Sequence, residues 1–405
     1  MPQDLPLRDI KVCDFMWVMA GPASTRMLAD YGATVVRIES PTRVDAARTV
    51  GPFQNNRTEP DASALWNSNN AGKYGITLDL SKAAAREVVF DLVRWADVVT
   101  ESFSPKAMRS WGLHYEALRE VRPDLIMLSS CLMGQSGPLS RFAGFGNLAA
   151  SLAGFYNLCG WSDRPPAGPF GAYTDYLAPR FTAVSILAAL DHRRRTGEGQ
   201  YIDQSQAESA LHFLSPALLD YSVNGRVAER HDNYDPDHAP HGVYPASGED
   251  RWVAIACRTV DHWRALCDTI GNPTLATDPR FASFDQRRAN RDQLDATIAE
   301  WSSRLDRHEL ERMLQANGVP ASAVQDSADC VQDAQLKHRG HFVELAHPAL
   351  GKTTIEGSRF RLSRTAARVE RAAPTAGQHN SYVMEKILGY SEERITELVA
   401  GGVLG

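Results

Sequence analysis

Hydrophobic positions along the chain fall into short β-branched runs. Between them lie stretches whose apolar residues recur three to four apart, the pattern of strands alternating with helices. The runs at 10–15, 34–39, 75–79, 97–100 and 124–129 predict strands; 20–30, 82–95 and 115–121 predict helices, the last stopped by Pro123. Such alternation implies βαβ units and a mostly parallel sheet. Two longer helices are expected over 177–195 and 205–223, joined by Thr196-Gly-Glu-Gly-Gln200 and a short strand at 201–203. From 224 to 245 the chain is polar and proline-rich, with His and Asp interleaved, which marks the best domain boundary. Beyond it, a strand at 251–256 and helices at 261–270, 287–305 and 307–317 predict a smaller, α-rich domain. Residues 342–364 return to strand and loop, and 382–403 form a helical tail broken at Gly389.

Composition then narrows the range of partners. A chain of 405 residues can bury two cores, and 43% hydrophobic with 23% charged residues is ordinary for a water-soluble protein. The net charge of -6 argues against nucleic acid, which needs clustered cations. The run Arg193-Arg-Arg195 closes a predicted helix, where cations complement the dipole. The opening Met1-Pro-Gln-Asp-Leu-Pro6 lacks the order of a signal peptide, and no apolar run reaches the ~18–20 residues of a membrane span. A cytoplasmic protein with no membrane partner is expected. Six cysteines without a C-x-x-C pair fit reduced thiols better than disulfides or zinc.

Several motifs fail on inspection. Glu39 ends the second predicted strand, where a ribose-binding acid could sit. However, the turn Met16-Trp-Val-Met-Ala-Gly-Pro22 lacks the glycines of a pyrophosphate cradle, so NAD is not expected. Gly144-Phe-Gly-Asn-Leu-Ala149 matches G-x-G-x-x-A but follows a loop, and reads as a helix start. The segment His231 to His241 is rich in metal-type ligands but fits no ligand spacing, so no metal is expected. No Gly-x-Ser-x-Gly and no Walker loop occur. Asp175, in Gly171-Ala-Tyr-Thr-Asp175, is more informative. Local sequence favours a helix cap or first-turn acid there, and the alternative is an activated carboxylate nucleophile.

Ordered motifs over nearly the whole chain settle which family it resembles. They are Val12-Cys-Asp-Phe15 with Ala20-Gly-Pro22, Leu28-Ala-Asp-Tyr-Gly-Ala33, Asn70-Ala-Gly-Lys73, Asp97-Val-Val-Thr-Glu-Ser-Phe103, Gly134-Gln-Ser-Gly-Pro138 and Arg195-Thr-Gly-Glu-Gly-Gln200. The chain resembles the class III CoA-transferase (CaiB/BaiF) family. The resemblance implies an α/β fold with a large Rossmann-like CoA-binding domain, 1–224 completed by about 331–405, and a smaller α+β domain at 225–330. It also implies an interlocked ring-shaped homodimer, with a heteromeric partner subunit as the alternative. Asp175 falls at the family's catalytic aspartate. Val18, Met19, Ala20, Lys73, Ser102, Phe103, Arg109, Met133, Gly134 and Gln135 fall at its CoA site. The implied substrates are an acyl-CoA and a carboxylic acid, with coenzyme A as substrate and no permanently bound cofactor.

Departures from the family pattern bear on specificity. The glycine run that closes over the intermediate in a formyl-CoA transferase is reduced to Gly242, Ser102 replaces an asparagine, and Leu132 or Met133 replaces a basic residue. An α-methylacyl-CoA racemase is the rival within the fold, but it needs a histidine where this chain has Phe145. A non-catalytic CoA-binding subunit is the other rival, and the presence of Asp175 speaks against it. Tyr173, Tyr176 and Trp161 could flank a bulky acyl group or belong to the core.

Overall fold

The computed structural model describes residues 4–405 and shows a mixed α/β protein. Six strands form one parallel sheet: β1 (Lys11–Phe15), β2 (Thr34–Glu39), β3 (Tyr74–Thr77), β4 (Val98–Glu101), β5 (Ile126–Cys131) and β6 (Tyr201–Ser205). Their order is β3-β2-β1-β4-β5-β6. Both faces of the sheet are covered, which is why its strands read as short continuous apolar runs. Val12 of β1, Val35 and Ile126 pack with Leu28, Ile186 and Ala189 from the helices Ala20–Asp30 and Tyr173–Thr196. Cys13, Phe15, Val36 and Ile38 face the opposite core, with Val88 and Leu92 of helix Ala83–Trp95 and with Val383, Met384 and Leu398.

The chain divides into two compact units. One comprises the residues up to Tyr156, with Gly168–Ala228 and Gln335–Gly405; the other comprises Asn157–Ala167 and Glu229–Ala334. The second unit holds an antiparallel sheet of β7 (His241–Pro245), β8 (Trp252–Ala256) and β9 (Ala321–Ala323), in that order. Trp263, Leu266, Ile298 and Leu310 form its core. The first unit also carries the hairpin β10 (Phe342–His347) and β11 (Gly351–Glu356), packed on Ala71 and Ala372. No helix among the described residues is long and apolar enough to cross a membrane.

Several elements differ from the pattern-based expectation for physical reasons. The helix expected from 177 starts at Tyr173, because its first turn is polar and carries no apolar period. The helix expected over 205–223 breaks at His212–Leu214 and restarts with Pro216 in its first turn, where a missing N–H costs nothing. That expected over 287–305 breaks at Asn290. The run 241–245, read as part of a polar loop, is strand β7.

Buried ions tie the parallel sheet to its flanking elements. The Lys73 ammonium has no exposure and donates to Asp14 Oδ2 (3.1 Å), the Pro22 carbonyl (2.9 Å) and Asn70 Oδ1 (2.9 Å). Asp14 also accepts from the Met16 N–H, Thr25 Oγ1 and Thr100 Oγ1, so neither partner is left unsatisfied. Arg48 grips both oxygens of Glu39, reaches Asp61 and lies 3.6 Å from the Trp66 ring centre. Removing one member of a buried pair strands the other. Lys73→Ala is therefore expected to destabilise the protein by about 3–5 kcal/mol, read as a fall in the denaturant midpoint. A stable Lys73→Ala protein whose only defect is weaker substrate binding would overturn this assignment.

Candidate active site

The strand order reverses between β1 and β4, so the loops leaving their C-terminal ends diverge and open a crevice. The turn after β1 is held from three sides. The Met16 N–H donates to Asp14 Oδ1 (2.9 Å), the Trp17 N–H to Ser102 Oγ (2.8 Å), and the Val18 N–H to Asp45 Oδ1 (3.2 Å). Asp45 is fixed in turn by Arg37 Nη2 at 2.6 Å, both fully buried. Val18 sits at φ 63°, a left-handed conformation that a β-branched residue adopts only under compulsion.

Asp175 lies in the first turn of helix Tyr173–Thr196. The N-cap is Ala172, which supplies no side-chain cap, and the Asp175 N–H bonds to the Ala172 carbonyl (2.9 Å). The carboxylate itself turns toward Gly146, whose backbone amide favours the ionised form. A Cβ on Gly146 would lie 2.6 Å from Asp175 Oδ1, so glycine is required for this approach. Thr174 Oγ1 donates to the Gly146 carbonyl (3.0 Å) and locks the two segments together. Asp175 is 6% exposed and has no ion-pair partner among the described residues. Burial pushes its carboxyl up to about 7, and the Gly146 N–H offsets this only in part.

A cleft of about 190 Å³ opens beside this carboxylate. Val18, Met19, Ala20, Ser102 and Phe103 line it together with Asp175, as do Phe145 and Arg141. Met133, Gly134 and Gln135 are not among the residues that line it. The Gln135 N–H donates to Asp203 Oδ1 (2.7 Å), and its side-chain amide reaches the Phe103 carbonyl (3.3 Å). Two expected residues lie elsewhere. Lys73 is enclosed in its cage with Asp14, and Arg109 is exposed 3.7 Å from Glu116. No histidine lines the cleft, and burial pushes the Cys131 thiol in its wall up to about 11.

Sequence reasoning missed Gly146, although it saw the glycine motif around it, and it missed Glu101. Glu101 Oε2 accepts from the Phe103 N–H (2.6 Å), and burial pushes its carboxyl up to about 7. In the second unit, His238 Nδ1 contacts Asp235 (2.6 Å) and His241 Nδ1 the Asn233 carbonyl (2.9 Å). No group of three or more metal-type ligands occurs among the described residues.

The chain is similar to known proteins over nearly its full length. The family model described as CoA-transferase family III matches residues 7–380. The chain is 32% identical over 400 residues to succinyl-CoA–D-citramalate CoA-transferase of Chloroflexus aurantiacus, covering 98% of both chains. It is 31% identical over 398 residues to the succinyl-CoA–L-malate CoA-transferase beta subunit of the same organism, covering 97% of each. A crystal structure of a CaiB/BaiF family protein from Brucella suis superposes with a TM-score of 0.88 at 30% identity, covering 95% of this chain and 100% of that one.

Two outcomes follow from the pinned carboxylate. Gly146→Ala is expected to lower kcat by about 100-fold, because an ångström-scale displacement of a reacting group costs that much; unchanged kcat would show that the contact is unimportant. The second outcome concerns pH. Because the folded state holds the Asp175 proton up to about 7, whereas the unfolded chain releases it near 3.8, stability contributed by this group is lost between those values. Asp175→Asn removes that loss, so thermal melts should show the variant more stable than wild type at pH 8 but not at pH 4. The wild-type kcat/KM for an acyl-CoA should rise with pH and level off above about 7.

Proposed function

Because the chain belongs to CoA-transferase family III and is a CoA-transferase, we propose that Asp175 is its nucleophile. One observation carries the reading: a carboxylate without a counter-charge, buried at the junction of the cleft and the helix start. An Asp175 oxygen attacks the thioester carbonyl and expels CoA thiolate, leaving a mixed anhydride. The thiolate then attacks the aspartyl carbonyl, forming an aspartyl-CoA thioester and releasing the donor acid. The acceptor carboxylate attacks that thioester and expels the thiolate, which finally attacks the acceptor carbonyl and frees Asp175. Thioester and anhydride are both activated acyl groups, so the steps are near balance and no net proton is consumed. The protein's task is to position the carboxylate, stabilise the oxyanions and keep water from the anhydride.

Coenzyme A binds, in this reading, over Val18, Met19, Ala20, Ser102 and Phe103, with Met133, Gly134 and Gln135 bracing that surface. The unit that contains the parallel sheet serves as the large Rossmann-like CoA-binding domain and the other as the small domain. The active form is an interlocked homodimer in the cytoplasm. The acids named for the relatives, citramalate and malate, together with succinyl-CoA, support a small dicarboxylic acid as acceptor and succinyl-CoA as donor.

Incubation with succinyl-CoA followed by hydroxylamine should convert Asp175 to a hydroxamate, seen by peptide mass spectrometry, and Asp175→Ala should give none and no transfer. Absence of any adduct across a panel of acyl-CoAs sinks the covalent reading, and α-proton exchange without CoA transfer would point to a racemase.

A further inference from the structure

Asp175 also lines a second cavity of about 610 Å³, within the parallel-sheet unit. Met19, Met27, Leu65, Leu187 and Phe360 give it mainly apolar walls, and Met19 and Asp175 belong to both spaces. Its size and its few convergent polar groups suit a small-molecule site.

Three guanidinium groups reach this cavity: Arg26, Arg180 and Arg359. Two are already engaged. Arg26 donates to the carbonyls of Ser68 and Glu356 and lies 3.5 Å from Asp30, while Arg359 is paired with the Glu356 carboxylate. Arg180 makes no side-chain hydrogen bond and no ion pair among the described residues. The charges that act on it are Arg359, which repels it, and Glu356, which Arg359 already holds. Arg180 thus reaches the cavity as a cation that no acid of the chain has taken up, and it is free to pair with an anion from outside the chain.

Arg180 lies five residues beyond Asp175 on the same helix, about 7.5 Å along its axis, and four beyond Tyr176, which also lines the cavity. Helix side chains lean toward the N-terminus, which brings a long arginine back toward the first turn. A diacid with two to four carbons between its carboxylates spans roughly 4–6 Å, so one molecule inside the cavity that both residues line can present a carboxylate to each. We propose that Arg180 holds the distal carboxylate of a dicarboxylic substrate while the proximal one reacts at Asp175, with the intervening hydrocarbon lying on Met19, Met27 and Leu65. Arg180 thereby selects dicarboxylic over monocarboxylic acids. This rests on Asp175 as the nucleophile.

The test uses succinyl-CoA as common donor with glutarate and pentanoate as competing acceptors, so that effects on the donor cancel in the ratio. In Arg180→Gln the ratio of kcat/KM for glutarate to that for pentanoate should fall by about 10- to 100-fold, and Arg180→Lys should restore part of it. Equal loss for both acids, or an unchanged ratio in both variants, overturns the proposal. Hydroxylamine trapping on Asp175 is run alongside. Trapping retained with an unchanged ratio defeats the selectivity role alone, whereas no trapping in wild type defeats the nucleophile on which it depends. Arg180 is solvent-exposed, and unaltered thermal melts of both variants establish that they fold.

Discussion

A carboxylate withdrawn from water without a counter-charge is the constraint around which this protein is arranged. Burial penalises the ionised form, and at Asp175 only one backbone N–H works against that penalty. Asp14, on the sheet of the same unit, shows the contrasting treatment: it is fully buried, but Lys73, two threonine hydroxyls and a backbone N–H satisfy it. One aspartate is saturated and structural. The other is buried without a counter-charge, at a cost in stability that the saturated one does not carry.

Such a carboxylate is useful only if its surroundings are rigid, and the crevice is made rigid without the usual glycines. The turn after β1 holds Val18 in a left-handed conformation that costs on the order of 1–3 kcal/mol, and the buried Arg37–Asp45 pair enforces it. Ser102 fastens that turn to the end of β4, and Glu101 and Gln135 fasten β4 to the loop after β5. Three loops at the reversal of strand order thus become one braced surface. Nearly every link is a side chain bonding a backbone N–H or carbonyl, and Ser102 both braces the turn and lines the cleft.

Much of the parallel sheet was legible because both its faces are buried, which turns each strand into an apolar run that period and length identify. Helix Ala20–Asp30 matched its expectation in full for the same reason. Short polar elements were not legible: β7 contains His241, Gly242 and Pro245, and the helix Ala64–Asn70 is mostly Asn, Ser and Trp. At the site, the resemblance marked Val18, Met19, Ala20, Ser102 and Phe103, which meet Asp175 in one cleft. It also marked Lys73, whose motif is as compatible with a buried cage as with a ligand contact, and a one-dimensional pattern does not say where an ammonium points. Gly146 was seen only as a helix start, because its reason for being glycine lies 29 residues away, at Asp175. Glu39, read at first as a possible ribose ligand, is occupied by Arg48.

The same geometry bears on the choice between moving CoA and moving a proton. Exchange of a proton at an α-carbon needs a carrier on each face of the substrate, with both near their working range. Around Asp175 the cleft offers Phe145, which has no proton to exchange, and a thiol that burial pushes up to about 11. An anhydride, by contrast, needs only a fixed oxygen, an exit for the thiolate and little water nearby. Met19 and Phe145 give the cleft apolar lining, and Met19 and Asp175 line both cavities. On the proposed reading of Asp175 as nucleophile, its place in the lining of both cavities lets an acyl group and CoA reach it from separate spaces.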